Sequence, residues 1–78
     1  MKELLLTIVK GLVEKPDEIT IDVDDVNEKG VTVYRLHVAH SDMGRVIGKQ
    51  GRIAKAIRMV MRSSAMRKRR KVAVEIAE

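Results

Sequence analysis

The stretch Val46-Ile47-Gly48-Lys49-Gln50-Gly51-Arg52-Ile53 decides how the rest of this chain is read. Two glycines enclose two polar residues, and amphipathic segments lie on either side. Gly48 can end one helix in a left-handed conformation and Gly51 can open the next, so the chain reverses within four residues. Because neither glycine carries a side chain, an anionic backbone can lie directly against the loop, facing the amides that start the second helix. Lys49, Gln50 and Arg52 add charge and donors. Val46, Ile47 and Ile53 anchor the loop to the core and leave a narrow apolar floor. A bare G-x-x-G arises by chance at roughly one position in 200, so alone it says little. Requiring aliphatic residues at Val46, Ile47, Ile53 and Ile57 lowers that to roughly one in 50,000.

Outward from the loop, charge is segregated along the chain. Residues 43–71 hold eleven Lys and Arg and no acid, whereas residues 1–42 hold five basic residues against nine acidic ones. The net charge of +5 conceals this asymmetry. A local charge of +11 with no neighbouring carboxylate draws polyanions by releasing their counterions. Charge alone is equally compatible with a solvated basic helix face, and it is the glycine spacing that favours a binding role.

Periodicity supplies the elements. Leu4, Leu5, Ile8, Val9 and Leu12 recur at helical spacing, and Pro16 discourages helix beyond Lys15, which predicts a first helix over residues 2–14. Ile19, Ile21 and Val23 alternate with polar residues, predicting a strand over 19–26. Asn27-Glu28-Lys29-Gly30 supplies a turn into a second strand over 31–40. Ser41 or Asp42 is placed to cap a short helix over 43–47 that stops at Gly48. A longer helix opens at Gly51 and runs to about Met66, with Ile53, Ile57, Val60 and Met61 on one side and Lys55, Arg58 and Arg62 on the other. Val72, Val74 and Ile76 form a last strand over 71–77.

The order α-β-β-α-α-β and the two-helix crossover between the last strands imply one parallel and one antiparallel pairing. The expected fold class is α+β: a two-layer sandwich in which a three-stranded mixed sheet carries three helices on one face. A chain of 78 residues has room for one such domain, residues 1–78. With 45% hydrophobic residues, composition is ordinary for a folded chain.

Several functions are excluded. The chain has no cysteine, so disulfides, thiolate metal sites and cysteine nucleophiles are out. Tyr34 is the only aromatic residue, which removes surfaces that stack bases on several rings. His37 and His40 point to opposite faces of an extended strand and lack a third ligand, and the acidic residues Asp22, Asp24, Asp25 and Glu28 read as a solvated edge, so no metal is expected. Gly44-Arg45-Val46-Ile47-Gly48-Lys49 is one residue short of a nucleotide-binding loop, and Gln50 stands where Ser or Thr would hold magnesium. The Leu4–Val9 run is too short for a signal peptide or a membrane span. A cytoplasmic, non-enzymatic protein is expected, with no cofactor, no membrane association and no small-molecule substrate.

With these residues in place, the loop and element order resemble the KH domain of type II, the mainly prokaryotic arrangement, over essentially the whole chain. The size and the neighbouring Ser41-Asp42-Met43-Gly44-Arg45 are similar to small stand-alone bacterial RNA-binding members. The resemblance implies single-stranded RNA bound in a cleft of about four nucleotides, consistent with an RNA chaperone or post-transcriptional regulator. By position, Gly48, Lys49, Gln50 and Gly51 would hold phosphates, with Arg45 and Arg52 flanking them. Val46, Ile47 and Ile53 would contact bases or support the floor, Lys55 adds charge from the next helix, and Leu36 and Val38 are candidates for the far wall. The resemblance also implies a homodimer, or a heterodimer with a larger KH-domain protein. Ala56, Met59, Ser63 and Met66 repeat at helical spacing and form a candidate self-association seam. Two competing readings remain: a helix-turn-helix DNA-binding protein, and an assembly module whose partner supplies RNA specificity.

Overall fold

The computed structural model describes residues 1–77. Six elements follow in the expected order: α1 (Lys2–Lys10), β1 (Thr20–Val23), β2 (Val31–His37), α2 (Met43–Ile47), α3 (Arg52–Arg67) and β3 (Lys71–Ala77). The sheet runs β1-β2-β3, with β2 antiparallel to β1 and parallel to β3. Period-two alternation puts Ile21, Tyr34, Leu36, Val72 and Val74 on one face, where they meet Leu5, Val9, Val46, Ile57 and Met61 from the three helices. Full burial of Leu5, Leu36 and Met61 contributes about 1.5–3 kcal/mol each relative to exposure. Tyr34 lies in this core, so the single aromatic ring stabilises the fold and offers no surface to a base.

Several expectations are corrected. α1 stops at Lys10, four residues early, because the Gly11 N–H donates to the Ile8 carbonyl and the Leu12 N–H to the Val9 carbonyl, so the chain continues as a turn. Leu12 and Val13 still pack on the core from that turn, which is why the apolar spacing overran the helix. The strands are shorter than 19–26 and 31–40, since pairing ends where the hairpin turn and the turn at His40–Asp42 begin. Val60 lies on the exposed side of α3, and Ala54 and Ala65 take the core positions instead. Their small side chains let α3 approach the sheet closely.

The opposite face of the sheet is open, and Arg35 and His37 on it have carboxylate partners. Arg35 on β2 bridges Asp24 at 2.8 Å and Glu75 on β3 at 3.2 Å. Beside it the His37 Nε2 lies 3.3 Å from an Asp22 carboxylate oxygen. Asp22 and Asp24 of the hairpin therefore serve a cross-strand charge ladder. Among the described residues, no group of three or more His, Asp or Glu could hold a metal ion, and no helix is long and apolar enough to cross a membrane.

Candidate nucleic-acid interface

Two helices meet at the glycine loop, and the loop's conformation depends on three residues with positive φ. Gly48 sits at φ 75°, ψ 175°, a region open essentially to glycine alone, and Gly51 at φ 75°, ψ 13° is left-handed. Gln50 between them is also left-handed, at φ 58°. The Gly51 N–H donates to the Gly48 carbonyl at 3.2 Å and closes the turn. A methyl group at Gly48 would fall 2.5 Å from Ile53 Cγ1, whereas one at Gly51 would meet nothing within 4 Å. The two glycines thus do different work. Gly48 lets Ile53 pack against the main chain, and Gly51 leaves open space before the first turn of α3, which has no side-chain cap among the described residues.

Lys49, Gln50 and Arg52 project from the loop into solvent, as does Lys55 one turn further along α3. Ile47 is 37% exposed and Ile53 is half-buried, so both are available as an apolar floor. Val46 is completely buried and supports that floor from beneath, which removes it from direct contact with a ligand. The expected far wall at Leu36 is corrected for the same reason: its side chain is fully inside the core. Val38, half-buried, follows the end of β2. A groove lies instead along β3. Arg58 and Arg62 from α3 and Val72, Ala73 and Val74 from β3 line a groove of about 290 Å³ at the edge of the sheet. The Arg58 Nε donates to the Val74 carbonyl at 3.1 Å, satisfying an edge group that has no strand partner. The signal for this groove was present in the sequence: a crossover that places β3 at the sheet edge also places it beside the basic stripe of α3.

Arg45 departs most from expectation. It forms an ion pair with Glu14 at 2.5 Å and lies 3.4 Å from Asp42. Asp42 is itself buried, and its two carboxylate oxygens accept the N–H groups of Glu14 at 3.1 Å and Lys15 at 3.0 Å. This corrects the capping expectation, because the side chain that precedes α2 ties down the distant end of the α1 turn and makes no cap bond to α2 itself. The Glu14 N–H bond, with help from Lys15 and the Arg45 charge, holds the Asp42 pKa below its ordinary 3.8 against the opposing effect of desolvation. The other ten basic residues of 43–71 have no salt-bridge partner among the described residues.

An α-β-β-α-α-β sandwich with a solvent-facing G-x-x-G turn between its two central helices defines the KH class of type II. The comparisons agree: the model of the KhpA/KhpB KH domain matches residues 2–76. Proteins named RNA-binding protein KhpA are similar across the whole length. That of Clostridium acetobutylicum is 51% identical over 97% of this chain and 99% of its own. That of Listeria monocytogenes is 45% identical over all of both chains, and that of Chlamydia trachomatis is 46% identical over all of this chain and 97% of its own. The chain belongs to the KhpA/KhpB family of KH domains.

Proposed function

We propose that this chain is one KH domain, residues 1–78, that binds single-stranded RNA without catalysis. Phosphates lie on Gly48, Lys49, Gln50 and Gly51, Arg52 and Lys55 flank them, and bases enter the groove between α3 and β3. The observation that carries this reading is the open loop itself: two positive-φ glycines, free space in front of Gly51, and neighbouring cations to which no described carboxylate is bonded. Arg45 joins the site only by exchanging Glu14 for a phosphate. The names of the relatives support RNA as the ligand. The packing of α3 onto β3 counts against a helix-turn-helix, since it commits one side of the would-be recognition helix to a sheet edge.

The direct test is binding of a short single-stranded RNA by the double variant Lys49→Asp, Gln50→Asp, with folding checked by circular dichroism. One phosphate contact to a single strand is worth about fivefold at 0.1 M salt, and reversing it repels, so a loss of about twentyfold is expected. Unchanged affinity in a folded variant refutes the role of the loop. Tighter binding of duplex DNA in competition would replace this reading with the DNA-binding one.

The partner is a second KH domain, either another copy of this chain or a larger protein of the same family, and the compartment is the cytoplasm. A role as RNA chaperone or post-transcriptional regulator fits so small a binding unit. The seam is accessible: Met59 and Met66 are 63% and 75% exposed, and Ala56 and Ser63 are exposed beside them on α3. Sedimentation that finds a monomer at high micromolar concentration rejects self-association through it.

A further inference from the structure

At the end of α3 far from the glycine loop, the helix stops in a turn whose chemistry is unusual. The Arg70 N–H donates to the Ala65 carbonyl and the Arg69 N–H to the Met66 carbonyl, the paired bonds of a Schellman motif. The residue this motif holds in the left-handed region is ordinarily glycine. Here it is Arg69, at φ 55°. An arginine kept where glycine is unstrained places a guanidinium on a fixed turn. The sequence around it offers no packing reason, since residues 67–71 are all exposed.

Arg69 lines a cleft of about 380 Å³ together with Arg70, Lys71 and, from the β1–β2 hairpin, Lys29 and Gly30. The hairpin is rigidly placed, because the Asn27 side-chain oxygen accepts the N–H groups of Lys29 at 2.9 Å and Val31 at 3.0 Å. Gly30 has φ 76° and open space where a side chain would stand, so its main chain is accessible. None of these four cations has a salt-bridge partner among the described residues. Cations from two separate elements converge on one cavity, beside a main chain laid bare by glycine. The features of the first loop recur here on different residues.

We infer that the α3–β3 turn and Lys29 form a second phosphate-binding site, which engages RNA that runs on beyond the glycine loop. The inference rests on the RNA-binding reading above and extends it from one anchor to two. Sixteen residues of α3 separate the sites, about 24 Å at 1.5 Å per residue. Four nucleotides are taken up at the loop. A strand of twelve nucleotides, even fully stacked at about 3.4 Å each, outspans the 33 Å long axis of the molecule and can occupy both sites.

The test compares four- and twelve-nucleotide single-stranded RNAs on the wild-type chain and on Arg69→Gly, Lys29→Ala and their double variant. Arg69→Gly keeps the left-handed turn and removes only the side chain, so thermal stability should hold or rise. For the twelve-mer, each substitution should weaken binding about fivefold at 0.1 M salt and lower the log-log salt slope by about 0.7. Binding of the four-mer, followed by NMR shifts at Gly48 and Gly51, should not change. If the four-mer binds at the loop but the twelve-mer gains nothing over it, or the variants keep full twelve-mer affinity, the second site is wrong and the loop reading stands. If neither RNA binds the wild-type chain, both fall together.

Discussion

The two faces of this small sandwich carry similar side chains and treat them in opposite ways. On the open face of the sheet, Arg35 and His37 each meet a carboxylate across a strand, and Arg35 meets two. On the face formed by the glycine loop and α3, Lys49, Arg52, Lys55, Arg58 and Arg62 meet none among the described residues. A polyanion is attracted by charge that is left unmatched, so the proposed site falls where the cations lack carboxylate partners among the described residues. Arg45 stands between the two cases, a cation of the proposed binding face already engaged by Glu14.

The comparison breaks most readily at the loop. Gly48→Ala should destabilise the fold by about 2 kcal/mol or more, from a forbidden backbone region and a collision with Ile53. Gly51→Ala, with open space around it, should cost only about 1 kcal/mol. Urea denaturation of the pair measures both, and equal losses would show that the glycines share one role. Next in size is charge reversal on the two faces. Arg62→Glu should weaken binding of single-stranded RNA by about twentyfold at 0.1 M salt, while Arg35→Glu should change it by less than about twofold. Comparable losses for both would mean that matched cations attract RNA as well as unmatched ones. Smaller still, Glu14→Gln should release Arg45 and tighten binding by up to about fivefold in the same titration. No gain would mean the ion pair with Glu14 already yields to phosphate at little cost.

Acid tests the clamp beneath that pair. The native Asp42 carboxyl ionises below its ordinary 3.8, so it stabilises the fold fully above that value and loses its contribution as pH falls through the lowered one. An acid titration followed by circular dichroism should show Asp42→Asn losing less stability between pH 4 and pH 2 than the parent chain.

Much of this was legible in the sequence for local reasons. The helix break at Gly48, the restart after Gly51 and the alternation of Val72 and Val74 all depend on neighbours within a few residues, and the structure places them as expected. The strand order followed from the length of one connection. The site was half legible. Lys49, Gln50 and Arg52 are exposed as expected, because a turn built on glycine leaves the residues in and beside it in solvent. Val46, expected as a contact or a support of the floor, is placed as a support, and Leu36, a candidate for the far wall, lies in the core, because an aliphatic residue near a site reads the same whether it faces the ligand or the core.

The sequence by itself determined the order of elements, the position of the bend and the concentration of basic residues after position 42, since periodicity, glycine chemistry and composition are properties of adjacent residues. Only the tertiary structure decided which charges are spent. Glu14 neutralises Arg45 across 31 positions, Asp42 clamps the α1 turn across 28, and Glu75 reaches Arg35 across 40. Pairings of that range exist only once the sheet and helices have brought the partners within a few ångströms, where Coulomb attraction and hydrogen bonding act.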